Sequence, residues 1–461
     1  MIPERLAWLV ADDSASSRLG THFAGAGFDL FLVGGSLRDA LLGRTSDDLD
    51  FATNARPADV KRIVDPLGSV FTMGEQYGTI GLQIAEQRFE ITTFRSEVYD
   101  DESRKPKVVF GDDLETDLSR RDFSINAMAL DVAGGQIIDP FGGLVDLARQ
   151  ELRTPLEPEL AFSDDPLRML RLYRFAATLG FECDPAAERA AAGMADRLAI
   201  VSAERIRDEF SKLLVGEFPA RGLRGIVKSG LAAVFLPELV ALSEQHDPFH
   251  RHKDVWEHTL AVVEKTDPRL RIRMAALLHD IGKPDTREFA KGGVTFHHHE
   301  VVGARMARRR LRELRYPKTL MDEVGQLVFL HLRPHTFKMG WTDSAVRRYA
   351  RDAGELLDDL NQLVRSDVTT ANPKRAALIS RRIDELEERI AVLAEAEELD
   401  KLRAPIDGND VMKYLGIGPG KDVGMIMKML LEYRIDHGPY EPDEAYALVD
   451  AWVGEHGANR P

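Results

Sequence analysis

The sequence predicts an α/β head, a small mixed sheet with helices, followed by all-α regions. Up to about Leu147, short apolar runs of strand length alternate with short helical stretches. From Pro166 onward the apolar residues recur at helical spacing and strand signals are absent. In order, Leu30-Phe31-Leu32-Val33 reads as a buried strand broken by Gly34-Gly35-Ser36, and Leu37 to Leu42 as a helix closed by Gly43. Leu49 to Ala52 reads as a second strand, followed by Thr79 to Ile84, Phe89 to Phe94, Lys107 to Phe110 and Ile137-Ile138. Polar punctuation at Gln245-His246-Asp247-Pro248 marks a second boundary, and a histidine-rich helical segment then runs to about Asp367. Asn372-Pro373 punctuates again before a charged helix from Arg381 to Asp400. The expected regions are 1–147, 148–245, 246–370 and 371–461, the last helical with Gly-rich breaks.

Composition narrows the setting. The 461 residues are 44% hydrophobic and 30% charged, ordinary for a globular protein. Uninterrupted apolar runs such as Leu231 to Leu236 fall short of the ~20 residues a membrane span needs, so no membrane partner is expected. Met1-Ile2-Pro3-Glu4-Arg5 has no basic region leading into an apolar core, and Cys183 has no second cysteine to pair with. Both predict a cytoplasmic protein. The charge balance, 61 Lys plus Arg against 76 Asp plus Glu, gives −15, which at first argues against nucleic acid. Binding is local, however, and the cations are unevenly placed.

The first chemical constellation is Gly34-Gly35-Ser36-Leu37-Arg38-Asp39, with Asp48-Leu49-Asp50 close behind. A strand ending in Gly-Gly before a helix lets backbone N–H groups approach a phosphate, and the helix N-terminus adds partial positive charge. Arg38 suits a bidentate phosphate contact. Asp48 and Asp50, at i and i+2 on a strand, point to one face. Paired carboxylates there suit Mg²⁺ with nucleotide phosphates, and Glu90 on a neighbouring strand offers a third carboxylate.

Phe31 to Gly43 together with Asp48-Leu49-Asp50 resembles the head motif of the class II tRNA nucleotidyltransferases. These belong to the polymerase-β-like nucleotidyltransferases and include CCA-adding enzymes and bacterial poly(A) polymerases. The resemblance implies that Asp48 and Asp50 hold catalytic Mg²⁺ and that the glycine turn and Arg38 hold the triphosphate. A second segment, Asp117-Leu-Ser-Arg-Arg-Asp-Phe-Ser-Ile-Asn126, reads either as a helix start capped by Asp122 or as a polar contact element. It is similar to the family's ribose-contacting motif, with Ser124 in place of Thr, which implies that Arg121, Asp122 and Asn126 select NTP over dNTP. Asp139-Pro-Phe-Gly-Gly143 with Asp146-Leu147 resembles the end of the family's head domain.

The third constellation is Ser163-Asp164-Asp165-Pro166-Leu167-Arg168, continuing through Arg171 and Arg174 to Phe175. Asp165 suits an N-cap and Pro166 a first helical turn. The arginines, every third residue, lie along one side of the helix, with Met169, Leu172, Phe175, Ala176 and Leu179 on another. Guanidinium donates to ring N and O acceptors, and carboxylate accepts from the exocyclic amine of C or A. U and G present a carbonyl at that place. The segment resembles the Glu-Asp-x-x-Arg motif with which class II enzymes replace a nucleic-acid template, Asp164 standing where Glu is usual. Glu204 to Leu214 resembles the last neck motif and reads as steadying the neck.

A fourth constellation, His258, His279-Asp280 and Asp367, matches the His…His-Asp…Asp order of the HD phosphohydrolase superfamily. His299 and His331 lie where binuclear members carry extra ligands. Imidazole with carboxylate suits a divalent transition metal, or Mg²⁺. The resemblance implies hydrolysis of a 2′,3′-cyclic or terminal phosphate on RNA. Arg305, Arg308, Arg309, Arg310, Arg312 and Arg315 read either as a solvated helix face or as a strip steering RNA. His335 and Trp341 receive no role.

Together these imply a CCA-adding enzyme with partners tRNA, CTP and ATP, working by two-metal transfer. Phe94 to Pro106 reads as a mobile charged loop, which in the family accompanies the switch from adding C to adding A. A poly(A) polymerase is the first alternative, although the basic-aromatic segment of that group has no counterpart. The second alternative is an HD phosphohydrolase with a regulatory nucleotide-binding head.

Overall fold

The computed structural model describes residues 3–44, 48–72, 74–75, 78–98, 107–111, 113–244, 254–290, 293–334, 341–368, 373–397 and 403–456. The punctuation at Gln245 to Pro248, Asn372, His335 and the centre of the Phe94 to Pro106 segment lie outside these residues. The chain forms two compact units, Met1–Val240 and Ala241–Pro461.

In the first unit the strands are β1 (Leu30–Val33), β2 (Asp48–Thr53), β3 (Ser69–Phe71), β4 (Thr79–Ile84) and β5 (Gln87–Thr93). They continue with β6 (Arg95–Val98), β7 (Lys107–Phe110), β8 (Ala129–Asp131) and β9 (Ile137–Ile138). Seven of them form one sheet in the order β3-β4-β5-β2-β1-β8-β9, and β6 and β7 pair separately. The sheet is mixed: β2 runs parallel to β5 and the other neighbours are antiparallel. Strand alternation sorts the side chains of β2. Leu49 and Phe51 go into the core and Asp48 and Asp50 to the other face. Phe51 packs on Phe89 of β5, ring centroids 5.9 Å apart.

The expected strands are present, with β3, β6 and β8 in addition; these are three or four residues long and too short for a periodic signal. The first site helix spans Gly34–Leu41, so it starts at the glycines rather than at Leu37. Gly34 has φ +68°, and a Cβ there would come within 2.9 Å of Arg121 Nη1, so the turn needs glycine. The Ser36 hydroxyl accepts from the Asp50 N–H at 3.0 Å and donates to the Asp48 carbonyl at 3.3 Å. One serine thus ties the helix start to the strand carrying both aspartates.

The neck is built around the helix Leu167–Leu179, which packs on the helices Ala203–Leu214 and Pro219–Lys228. Gly225 lets the last of these approach: a Cβ would meet the Tyr173 ring at 2.1 Å. The structure places Pro166 at the N-cap, one residue later than expected, while Asp165 Oδ1 accepts the Leu167 N–H at 3.1 Å. Met169, Leu172, Phe175 and Ala176 are buried as the pattern requires; Leu179 is only half-buried at the last turn.

The expectation that strands are absent after Pro166 is corrected. Short β10 (Glu151–Leu152) pairs in parallel with β11 (Glu182–Cys183). In the second unit, β12 (Arg287–Ala290) and β13 (Gly293–Phe296) form a hairpin leading to His299. These pairs lack the alternation that identifies a longer strand.

The second unit is otherwise helical. The helices Val255–Lys265, Leu270–Leu278, His299–Glu313, Lys318–Leu330 and Leu357–Asp367 bury Leu260, Val263, Ile272, Leu277, Leu311, Val328 and Leu363. The charged helix spans Pro373–Glu397, starting before Arg381; Glu398 to Asp400 lie outside the described residues. Three last helices, Gly408–Leu415, Lys421–His437 and Pro442–His456, share their own core around Val411, Ile426, Leu430, Ala445 and Val449. Arg348, on the helix Asp343–Ala353, joins them to that helix through Asp436, its Nη2 lying 2.6 and 2.8 Å from the two carboxylate oxygens. Among the described residues no helix is long and apolar enough to cross a membrane.

Candidate active site and metal centre

A polar cleft of about 450 Å³ opens between the head sheet and the neck helices. Its lining unites Gly34 and Gly35 with Asp50, Arg121, Asp122, Asn126, Asp165, Arg168 and Arg171. Segments more than a hundred residues apart in sequence thus meet in one place. Asp50 and Glu90 are direct partners across the parallel β2–β5 register, and Asp48 lies opposite Arg88. Asp48, Asp50 and Glu90 therefore share one face. They converge less tightly than the metal-like groups described below, and Glu90 takes an ion pair from Arg88 at 3.0 Å. The Asp50 carboxyl is pushed above its ordinary value by desolvation and then by the neighbouring charge of Glu90, with Asp48 adding to it. Crowded carboxylates of this kind fit a divalent cation.

Arg38 is placed differently from the expectation. Its guanidinium is buried under the glycine turn, donating to Asp39 at 2.9 and 2.8 Å and to Asn126 Oδ1 at 2.7 Å. It does not line the cleft; nor do Asp48, Glu90 and Arg174. Arg38 instead begins a continuous polar chain. Asn126 Nδ2 donates to Asp122 Oδ1 at 2.8 Å, and Asp122 Oδ2 accepts from Arg171 Nε at 2.9 Å. Arg171 Nη1 and Arg174 Nε donate to the two oxygens of Glu209, at 3.0 and 2.9 Å. The Arg174 guanidinium lies 3.5 Å from the centroid of the Phe175 ring. Burial alone would raise the Asp122 carboxyl, but the Arg171 charge and the amide of Asn126 hold it at about 2. The capping alternative for Asp122 does not describe it, because its side chain is committed to this chain. From the backbone it accepts the N–H of the adjacent Phe123, at 2.9 Å.

The Arg168 guanidinium donates to the carbonyls of Ala161, at 3.2 Å, and Arg120. Asp165 Oδ2 accepts from Arg205 Nη2 at 2.7 Å. The motif at the end of the head serves structure. Asp139 accepts from the N–H groups of Gly143 and Leu144, at 2.7 and 2.9 Å, and buried Asp146 accepts from Ser124 and Arg153, at 2.5 and 2.7 Å.

Sequence reasoning missed Asp39, Asp117, Arg120, Arg205 and Glu209. The signal for Glu209 was present: it falls among the apolar positions Ile206, Phe210 and Leu213 of an amphipathic helix and is 5% exposed. A buried acid at a core position requires cations, and the arginines every third residue supply them.

The second unit gathers all six of its expected residues. His258 Nε2 lies 2.9 Å from Asp367 Oδ1, and His279 Nε2 lies 3.2 Å from Asp280 Oδ2. His299 Nε2 lies 3.3 Å from Asp280 Oδ1. His258, His279 and Asp280 form one metal-like group and Asp280, His299 and His331 another, each with ligand atoms within 4.8 Å of one another. The Nδ1 atoms of His279, His299 and His331 sit 2.7, 2.9 and 2.6 Å from the carbonyls of Ala276, Phe296 and Val328. Those bonds assign the proton to Nδ1 and turn the Nε2 lone pairs inward. The Nε2 atoms of His299 and His331 are buried without a hydrogen-bond partner. Burial pushes the His331 imidazole down to about 3, so it is neutral and able to bind a metal. Inward lone pairs facing a buried carboxylate fit divalent cations.

Comparison with known proteins agrees with this geometry. Residues 30–153 match the poly A polymerase head domain family. Residues 180–242 match the probable RNA and SrmB-binding site of polymerase A, and 254–389 the HD domain. The chain is 34% identical to a CC-adding tRNA nucleotidyltransferase of Thermus thermophilus, covering 92% of this chain and 94% of that one. It is also 34% identical to an A-adding tRNA nucleotidyltransferase of Deinococcus radiodurans, covering 92% and 95%. A CCA-adding enzyme of Geobacillus stearothermophilus is 36% identical over 66% of each chain. Among solved structures, the Bacillus stearothermophilus CCA-adding enzyme in complex with CTP superposes with a TM-score of 0.72 at 27% identity, covering 99% of this chain and 100% of that one. The chain belongs to the tRNA nucleotidyltransferase and poly(A) polymerase family, with an HD domain after its head and neck.

Proposed function

We propose that the chain adds C, C and A to the 3′ end of tRNA from CTP and ATP without a nucleic-acid template. The observation that carries this is the single cleft in which phosphate-side groups (Gly34, Gly35, Asp50 and Arg121) and base-side groups (Asp165, Arg168 and Arg171) meet. The glycine turn and helix N-terminus receive the triphosphate. Asp48 and Asp50, with Glu90 beside them, hold Mg²⁺. When bound, Mg²⁺ neutralises phosphate charge and favours attack by the tRNA 3′-OH. Asp122 and Asn126 meet the ribose, and the chain from Arg38 to Glu209 fixes them before the nucleotide arrives. Asp165 accepts from the exocyclic amine of C or A, and the guanidiniums of Arg168 and Arg171 donate to ring acceptors.

Complete CCA addition is favoured over CC-only addition by the charged sequence Phe94 to Pro106, because in the family a loop at this place in the chain accompanies the change from C to A. We further propose that His258, His279, Asp280, His299, His331 and Asp367 hold divalent metal for hydrolysis of phosphate esters on RNA ends, and that the enzyme works in the cytoplasm. The inward-turned Nε2 lone pairs support the metal site. The test is incubation of tRNA lacking its end, and of an unrelated RNA, with CTP and ATP separately and together, followed by product sequencing. Stepwise CC and then A on tRNA alone supports the reading. Long A tails on either RNA without C incorporation overturn it.

A further inference from the structure

The helix Ala203–Leu214 touches both kinds of base-side group. Glu209 holds the two arginines, and Arg205, one turn earlier at i and i+4 on the same face, holds the acid. The Arg205 backbone is itself fixed, its N–H donating to the N-cap Ser202 Oγ at 3.4 Å. We propose that Arg205 is a specificity-determining positioning residue that clamps Asp165 as an acceptor for the base amine. This rests on the reading that Asp165 meets the base.

Asp165 lies at the break between two helices, Pro158–Asp164 and Leu167–Leu179, in an extended backbone conformation. A carboxylate on such a joint is free to rotate unless both oxygens are held. Both are. Oδ1 accepts the Leu167 N–H at 3.1 Å, and Oδ2 accepts Arg205 Nη2 at 2.7 Å. Each oxygen keeps a second lone pair, so the clamp orients the carboxylate without exhausting it. An ionised carboxylate only accepts; it takes the amine of C or A and repels the carbonyl of U or G. The ion pair also works in the other direction. A guanidinium that lacked Asp165 would donate readily to the carbonyl of U or G. Pairing removes a donor that would favour the wrong bases, so each partner keeps the other in its selective role.

Arg205 and Arg168 contribute differently. Arg168 is anchored to backbone carbonyls of Ala161 and Arg120, whereas Arg205 spends a nitrogen on the acid itself. The Arg205 side chain is also 54% exposed and that of Asp165 26%, so the pair is partly solvated. Exposed pairs add little to folding stability, so the variant should remain folded and the effect should appear in base choice.

The experiment uses the full chain and tRNA lacking its terminal nucleotides, and compares kcat/KM for CTP with that for UTP. Arg205→Ala is expected to lower the CTP-over-UTP preference roughly tenfold, mainly through a higher KM for CTP, as expected for loss of one hydrogen bond to a charged group. Arg205→Lys should recover part of the preference. Asp165→Ala should shift preference toward UTP, and Asp165→Ala with Arg205→Ala should lose that shift, because the guanidinium that accepts U is gone. A melting temperature for Arg205→Ala close to that of the parent shows that the change is in selection. If Asp165→Ala relaxes base choice and Arg205→Ala leaves it unchanged, the clamp is wrong and the base-contact reading stands. If neither variant alters base choice, the base-contact reading itself falls, and the clamp with it.

Discussion

Arg171 Nη1 donates to Glu209 Oε1 at 3.0 Å, joining two neck helices beneath the cleft. The same carboxylate takes Arg174 through its other oxygen at 2.9 Å. One buried acid therefore holds Arg171, which lines the cleft, and Arg174 behind it.

Glu209→Ala removes the acid paired with the mostly buried Arg174 guanidinium and leaves Arg171 with Asp122 alone. Removing one partner of a buried ion pair costs about 3–5 kcal/mol, so a clear fall in melting temperature is expected. Glu209→Gln retains one acceptor oxygen for one of the two arginines and should lose less. Its KM for CTP and ATP should rise with kcat less affected, since the arginines remain but are loosely oriented. Thermal melts and steady-state kinetics on the two variants check this; unchanged melting of Glu209→Ala would contradict it.

Asp122 links pH to stability. Its carboxyl sits at about 2 in the folded chain against an ordinary 3.8. A depressed carboxyl contributes stability that is fully present above the unfolded value and is lost as pH falls through the folded one. The contribution is about 2 kcal/mol, fading from about pH 4 to about pH 2. Asp122→Asn should therefore be less stable than the parent at neutral pH. The gap should narrow in urea titrations repeated at pH 5, 4, 3 and 2. A constant gap across that range would show that the charge of Asp122 is not what Arg171 stabilises.

The two histidine groups share Asp280, which predicts two divalent ions in the second unit, one held by His258, His279 and Asp280 with Asp367 beside them and the other by Asp280, His299 and His331. Metal analysis after reconstitution with Ni²⁺, in an Asp48→Ala and Asp50→Ala background that removes the head carboxylates, should give two ions with the second unit intact and about one when His331→Ala is added. His279→Ala should lose phosphatase activity while keeping nucleotide addition. Asp50→Ala should do the reverse, since Asp50 lies in the head cleft. Two ions retained by His331→Ala would exclude His331 as a ligand.

Much of this was legible in the sequence because the chemistry is local there. The glycine turn, the Asp48–Asp50 alternation and the arginines on one helix face are patterns within a dozen residues, and backbone geometry alone fixes which side they share. The six residues proposed to hold metal stood out by their order, but their partition into two groups around Asp280 did not, because it depends on how five helix ends pack. Arg38 shows the opposite limit. Its spacing suits a phosphate, yet Asp39 and Asn126 take its guanidinium, and Asn126 arrives from a segment 88 positions away. Glu209 and Arg205 were missed for the same reason: their partners lie 35 to 40 positions earlier in the chain. The acidic total of −15 was no guide to partners, since part of it lies in carboxylates proposed to hold cations, among them Asp48, Asp50, Asp280 and Asp367.

The most direct test of the central claim is sequencing of the product ends formed on tRNA lacking CCA, with CTP alone, ATP alone and both together. The account predicts CC with CTP alone, CCA with both, and loss of every addition in Asp50→Ala. Addition that stops at CC with both nucleotides present, A tails without C, or extension persisting in Asp50→Ala would contradict it.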